Sequence, residues 1–217
     1  MKQVCGWWMP DHEAHLGPWM ATPKNKLVLH GRQAYQGKKQ LAALTYCKKR
    51  RAAVDVGGHV GLWSYNLAHE FGAVFAFEPV AEHRACFERN MLGIGQHVHL
   101  HAIALGAAES SVAMWSEPGS SGNTQVSGAG EIPMKTLDSL DLVDVDFMKL
   151  DCEGYEENVL KGATKLIAKY EPVICVEQKR DMASRFGLAP QGAVRFLEKL
   201  GYRVAAEISG DYIMVPK

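Results

Sequence analysis

The stretch AAVDVGGHVGLWSYNLAHEFGAVFAFEP, residues 52–79, decides the fold. It opens on a short apolar run, passes through the amphipathic LWSYNLAHEF, and returns to a second apolar run, AVFAFEP. A second amphipathic stretch, AEHRACFERNML, follows directly. Short apolar strands alternating with helical stretches predict parallel strands joined by crossover helices, a doubly wound α/β sheet. The alternation continues through VHLHAIAL, VDFMKLD, a helical stretch from Tyr155 to Tyr170 that Gly162 threatens to break, PVICVEQ, and a helix from Pro190 to Leu200. The chain closes with YRVAAEI, Ser209-Gly210 and DYIMV, which predicts an antiparallel hairpin at the sheet edge.

Outward from this frame, two segments break the alternation. Residues 1–30 carry Trp7, Trp8, Trp19 and several prolines without a period, and Gln33 to Arg51 reads as a helix with a basic end, so residues 1–51 are expected to form an N-terminal extension able to cover a cleft. Residues 52–217 then form the ligand-binding domain. The second break, EPGSSGNTQVSGAG from Glu117 to Gly130, is rich in glycine and serine and predicts a mobile loop.

With 217 residues, 47% of them hydrophobic, the chain suits one core. Lys plus Arg and Asp plus Glu both number 24, so global charge gives no reason to expect a nucleic-acid partner or an anionic membrane. The basic excess is local: residues 1–51 hold ten Lys and Arg against Asp11 and Glu13. Five cysteines at 5, 47, 86, 152 and 175 match neither a CxxC pair nor a disulfide scaffold, which predicts a reducing, cytoplasmic setting. No stretch is apolar enough to read as a membrane span or signal core.

Asp55-Val56-Gly57-Gly58-His59-Val60-Gly61 leaves a buried strand and opens a helix, where glycine lets the backbone approach a ligand. The dinucleotide fingerprint fails in every frame, because His59, Val60 and Leu62 stand where glycines are needed, and no phosphate-loop G-K-S/T occurs. What remains is an acid two places before the first glycine and Gly61 four places after it. Glu78, at the end of AVFAFE, is placed to accept both hydroxyls of a ribose. A ligand with an amine near Asp55 and a ribose near Glu78, but no pyrophosphate, is S-adenosylmethionine.

The motifs D-V-G-G-H-V-G, F-E-P, T-L-D-S-L from Thr136 to Leu140, and D-F-M-K-L-D-C-E-G-Y-E-E-N-V-L-K-G-A from Asp146 to Ala163 resemble the FkbM family of S-adenosylmethionine-dependent methyltransferases. The resemblance covers about Ala52 to Gln178 and implies the class I methyltransferase fold, a Rossmann-like seven-stranded sheet whose last pair is antiparallel. It also implies methylation of hydroxyl oxygens, often on sugars or polyketide-type products. His59 stands where the family usually has asparagine, and residues 1–30 match no assignable pattern. On this reading Asp55, Gly57, Gly58, His59, Gly61, Glu78 and Pro79 bind the cofactor, with Ala104 and Leu105 beside the adenine at the end of the third strand.

Asp151 and Glu153 end the strand VDFMKLD and, on strand alternation, point to one side, so they are the candidates for the reactive centre. The competing reading is that Asp151 caps the next helix and Glu153 faces solvent. Asp151 and Glu177 lack a third ligand, so no metal is expected. His97, His99 and His101 alternate along a strand but have no acidic or cysteine partner nearby, which favours a structural role. Lys48 to Arg51 reads as the solvated end of a helix. The expected partner is therefore a small-molecule or saccharide acceptor. The rivals are an RNA methyltransferase docking through the basic N-terminal segment and a non-catalytic cofactor-binding protein.

Overall fold

The computed structural model describes residues 1–179 and 181–217. Seven strands form the central sheet: β1 (Ala52–Val56), β2 (Ala73–Phe77), β3 (Val98–His101), β4 (Val145–Leu150), β5 (Val173–Glu177), β6 (Tyr202–Ile208) and β7 (Asp211–Pro216). Their spatial order is β6-β7-β5-β4-β1-β2-β3. The first five strands in chain order are mutually parallel, and β7 runs antiparallel to both β5 and β6. Every residue of β1 and β5 is buried, as strands covered on both faces require, which is why they read as continuous apolar runs.

Helices α1 (Leu62–Glu70), α2 (Ala81–Asn90), α3 (Glu156–Lys161), α4 (Thr164–Tyr170) and α5 (Gly192–Lys199) flank the sheet. Strand alternation sorts the core into two layers. Val54, Val56, Met148 and Leu150 meet Leu160, Ile167 and Leu197 on one face. Ala53, Phe147 and Val173 meet Trp63 and Leu67 of α1 and Leu44 of the helix Gly37–Leu44 on the other. The last hairpin turns at Ser209-Gly210, with φ of 53° and 82°, and these two positive values match the right-handed strand twist.

Four readings change. The helix expected over Gln33 to Arg51 covers only Gly37–Leu44, because Gln36 is left-handed (φ 54°) and the chain leaves the helix at Thr45. Lys48 to Arg51 is accordingly no helix end: Arg50 pairs with Glu70, and Arg51 with Asp144 and Asp146. The stretch expected as a mobile loop is the greater part of a β-hairpin, Ser110–Glu117 with Ser120–Ala129, in a second sheet with Ile132–Lys135 and Ala104–Leu105. Ala104 and Leu105 therefore do not end β3, which stops at His101; they pair with Met134 and Lys135. The alternating histidines spend their rings on packing: His99 stacks on Phe75 and His101 on Phe77, while His97 lies outside the strand and contacts the Ala68 carbonyl.

The N-terminal segment packs Trp7, Met9, Leu16 and Met20 against Val60, Leu62, Tyr65 and Cys86. Among the described residues no helix is long and apolar enough to cross a membrane.

The long helix does break at Gly162, into α3 and α4, and glycine is required there by a close approach: a Cβ would stand 2.1 Å from the Gly106 carbonyl oxygen. Gly162→Ala should cost about 1–3 kcal/mol by overpacking against backbone, lowering the melting temperature by roughly 2–12 °C. Gly122→Ala, where a Cβ meets nothing within 4 Å, should leave the thermal melt unchanged.

Candidate functional site

At the carboxyl ends of β1, β2 and β4 the structure opens a small cavity of about 60 Å³. Gly57, Glu78, Pro79, Ala104, Leu105 and Asp151 line it, together with Phe77, Ile103, Met114, Val126 and Tyr155. Asp55, Gly58, His59, Gly61 and Glu153 do not. Apolar and aromatic walls with carboxylates on the lining suit an adenosine-bearing ligand, whose base is flat and whose ribose offers donors.

The glycine-rich turn is shaped by contacts beneath it. Gly57 sits at φ 76°, and a Cβ there would stand 2.1 Å from the Asp151 carbonyl oxygen, so only glycine lets the turn after β1 cross the end of β4. Gly61 has a packing role instead, because its Cβ would strike Met91 and Phe87 of the α2 region. Asp55 is fully buried. The ammonium it faces belongs to the protein: Lys149 Nζ lies 3.3 Å from its Oδ1, and the Ser64 hydroxyl donates to its Oδ2 at 2.6 Å. This corrects the expectation that Asp55 meets a ligand amine. Lys149 also donates to the Gly57 carbonyl at 2.9 Å and lies 3.8 Å from Asp151. Burial pushes its ammonium down, but Asp55 and Asp151 outweigh that and hold it above the ordinary lysine value.

Glu78 has protein partners on both oxygens. The His59 N–H donates to Oε2 at 2.8 Å, the Val80 N–H to Oε1 at 2.8 Å, and His83 Nδ1 lies 3.3 Å away. These fix the carboxylate at the cavity wall and leave part of its accepting capacity for a ligand. His59 does not face the cavity. Its Nε2 is 2.8 Å from the Ser121 hydroxyl, which donates to Glu13 at 2.5 Å; the Ser121 N–H donates to the same Glu13 oxygen at 2.7 Å. Since the hydroxyl's hydrogen is given to Glu13, His59 must be the donor to Ser121. Burial, then His83, pushes the imidazole well below its usual value and keeps it neutral. The Ala14 N–H donates to the Gly119 carbonyl, so the N-terminal segment and the hairpin tip are joined above the turn.

Beyond β4 the chain leaves strand geometry, since Glu153 is left-handed at φ 54°. Strand alternation is therefore not what brings Asp151 and Glu153 together. The turn does, and it adds Glu177 from the end of β5: one oxygen from each of the three lies within 4.8 Å of the others. Asp151 caps no helix. That loop is braced by buried Glu156, whose Oε1 accepts the Cys152 and Gly154 N–H groups at 2.8 and 3.0 Å.

The charges are unequal. Burial pushes the Asp151 carboxyl up, but Lys149 and a hydrogen bond shared with Glu177 bring it down, so it stays ionised. Burial and the Asp151 charge push Glu153 up to about 8 and Glu177 up to about 9. Glu177 is paired with Lys179, which also lies 3.5 Å from Asp211. Glu153 supplies the third oxygen ligand that the sequence reading lacked, yet Lys149 and Lys179 already provide the countercharge a divalent ion would bring.

Sequence reasoning missed Lys149, His83, Glu13, Ser121 and Glu156. Lys149, an ammonium inside the apolar run FMKL, is the one that left a signal, since an unpaired charge does not belong in a buried strand.

No curated protein matches the chain by sequence. Among solved structures it is similar to methyltransferase FkbM from Methylobacillus flagellatus KT, at 16% identity and a TM-score of 0.53, over 76% of this chain and 43% of that one. The chain thus spans less than half the length of the Methylobacillus protein. It is also similar to precorrin-6y C5,15-methyltransferase from Geobacter metallireducens GS-15, at 17% identity and a TM-score of 0.50, over 89% of this chain and 91% of that one. A third similar structure is SMU.1697c from Streptococcus mutans in complex with SAH, at 10% identity and a TM-score of 0.50, over 82% and 94% of the two chains. At these identities the likeness establishes the fold, a class I methyltransferase sheet. The methyltransferase FkbM domain matches residues 55–204, well over half of the chain, and the protein belongs to the FkbM methyltransferase family.

Proposed function

We propose that the protein moves a methyl group from S-adenosylmethionine to a hydroxyl oxygen of a small molecule or sugar. The observation that carries this reading is the meeting of Asp151, Glu153 and Glu177 beside a cavity walled by Gly57 and Glu78. When bound, the cofactor supplies a methyl group activated by its sulfonium. The residues of the chain then have three tasks. Glu78, fixed by His59, Val80 and His83, would hold the ribose, while Ala104, Leu105 and Ile103 would offer apolar surface to the adenine. Gly57 and Asp151 would shape the floor of the cofactor site, and Tyr155 with the hairpin residues Met114 and Val126 would shield it from water. The in-line attack gains chiefly from this alignment, about 7–11 kcal/mol in well-oriented systems.

The third task is to take the hydroxyl proton. Asp151, ionised and held by Lys149, orients; Glu153, raised to about 8, is nearer the basicity a general base needs. No divalent ion takes part in this scheme, because lysine ammonium groups balance the acids.

The purified protein should bind SAH and not NAD in calorimetry, and Glu78→Ala should weaken SAH binding by about 1.5–3 kcal/mol, the scale of a lost charge-assisted hydrogen bond. Unchanged affinity in that variant would remove Glu78 from the site.

Glu153→Gln should lower single-turnover methyl transfer about 10²- to 10⁴-fold with SAH affinity and melting temperature preserved, and Asp151→Asn should lower it as well. Because Glu153 must be ionised to accept a proton and its carboxyl is raised to about 8, kcat/KM should climb between pH 7 and 9. That limb should vanish in Glu153→Gln. Near wild-type turnover in both variants would show that alignment alone carries the reaction.

A chelator should leave transfer unchanged. Loss of activity restored by magnesium would instead make Asp151, Glu153 and Glu177 its ligands.

A further inference from the structure

A second groove, of about 610 Å³, runs between the hairpin strand Ser120–Ala129 and the 3-10 turn Met182–Phe186. It shares Tyr155 and Val126 with the cofactor cavity, so the two spaces are contiguous at the ring of Tyr155. Phe186 meets that ring edge-on, with centroids 4.9 Å apart and planes at 80°. Such a corner of two aromatic rings presents one face and one edge to a flat guest. Arg185 spans the groove to the side-chain oxygen of Gln125, a neutral partner. The guanidinium is exposed, and it makes no salt bridge to any described residue.

We propose that this groove is the acceptor site and that it takes a hydroxylated six-membered ring bearing an acidic group. The ring packs in the Tyr155–Phe186 corner, the acid exchanges Gln125 for a bidentate grip by Arg185, and the hydroxyl is carried toward Glu153. The groove and the carboxylate centre are electrically linked, since Arg185 draws the Glu153 carboxyl down against the larger upward push of burial and Asp151. An uncharged acceptor would leave the guanidinium with Gln125 alone, and the groove would then discriminate on shape only. An acid carried on a hydroxylated six-membered ring is common to aryl carboxylates, whose ring is flat, and to uronic acids, whose ring is a puckered chair with apolar C–H faces.

This proposal rests on the methyltransferase reading of the adjoining cavity, and the experiment separates the two. The full chain is saturated with SAH, and binding of 4-hydroxybenzoate and of glucuronate is measured by calorimetry and saturation-transfer NMR, each beside its neutral amide. At least one acid should bind roughly ten- to hundredfold more tightly than its amide, and which one does so distinguishes an aryl from a sugar acceptor. Arg185→Gln, a change at an exposed position, should abolish that preference while SAH affinity stays constant. Phe186→Ala should weaken acid and amide alike. Equal binding of acid and amide, binding of neither, or a preference that survives Arg185→Gln would overturn the acceptor assignment and leave the cofactor reading standing. Failure of SAH itself to bind would remove the reading on which the assignment rests.

Discussion

The site hangs on one buried cation. Lys149 Nζ reaches Asp55 on the neighbouring strand, the carbonyl of Gly57 in the turn, and Asp151 at the end of its own strand. Lys149 and Asp55 are register partners in adjacent parallel strands, so the pairing of β1 with β4 sets their contact. A pair this deep contributes little as a pair, because desolvation offsets the attraction, but removing one partner costs about 3–5 kcal/mol. Its consequence is geometric. The turn cannot move relative to β4 without stranding an ammonium, so Gly57 and Asp151 keep one distance while ligands come and go.

Around that cation the protein gathers more carboxyl groups than two lysines could neutralise were all of them ionised. Asp55, Asp151, Glu153 and Glu177 lie at or just beyond the ends of adjacent strands and Glu156 opens α3 beside them, and burial raises four of the five. For Glu153 and Glu177 the native state holds a proton that the unfolded chain has released, between about pH 4.5 and their raised values of about 8 and 9. Stability attributable to these groups is therefore present in acid and declines as pH rises through that window. The same conditions that ionise the base loosen the fold around it, a trade expected wherever like charges are concentrated for chemistry.

The sheet was legible because its strands are covered on both faces and must be apolar throughout, and the final hairpin because Ser-Gly is a turn pair that tolerates positive φ at both positions. The hairpin Ser110–Glu117/Ser120–Ala129 was not, since half of its second strand is exposed and it carries serine and glycine where alternation would show hydrophobic residues. At the site, Gly57 and Glu78 announced themselves by type and position. Glu153 was chosen for a reason that does not apply, strand alternation, and arrives beside Asp151 through a left-handed turn that no residue pattern encodes. Glu13 lay in a stretch without period, and its partner Ser121 in one read as a loop, so nothing local connected them across the 108 positions between.

That connection has one further consequence. Ser121 has a single hydroxyl hydrogen, and giving it to Glu13 obliges His59 to be the donor on the other side. Positions 13, 59 and 121 thus form one hydrogen-bonded unit. A residue at 59 unable to donate would leave the Ser121 hydroxyl without its second partner, while the Ser121 backbone N–H would still hold the carboxylate at 13 to the hairpin. An N-terminal segment, a glycine-rich turn and a hairpin tip are tied together at one serine hydroxyl.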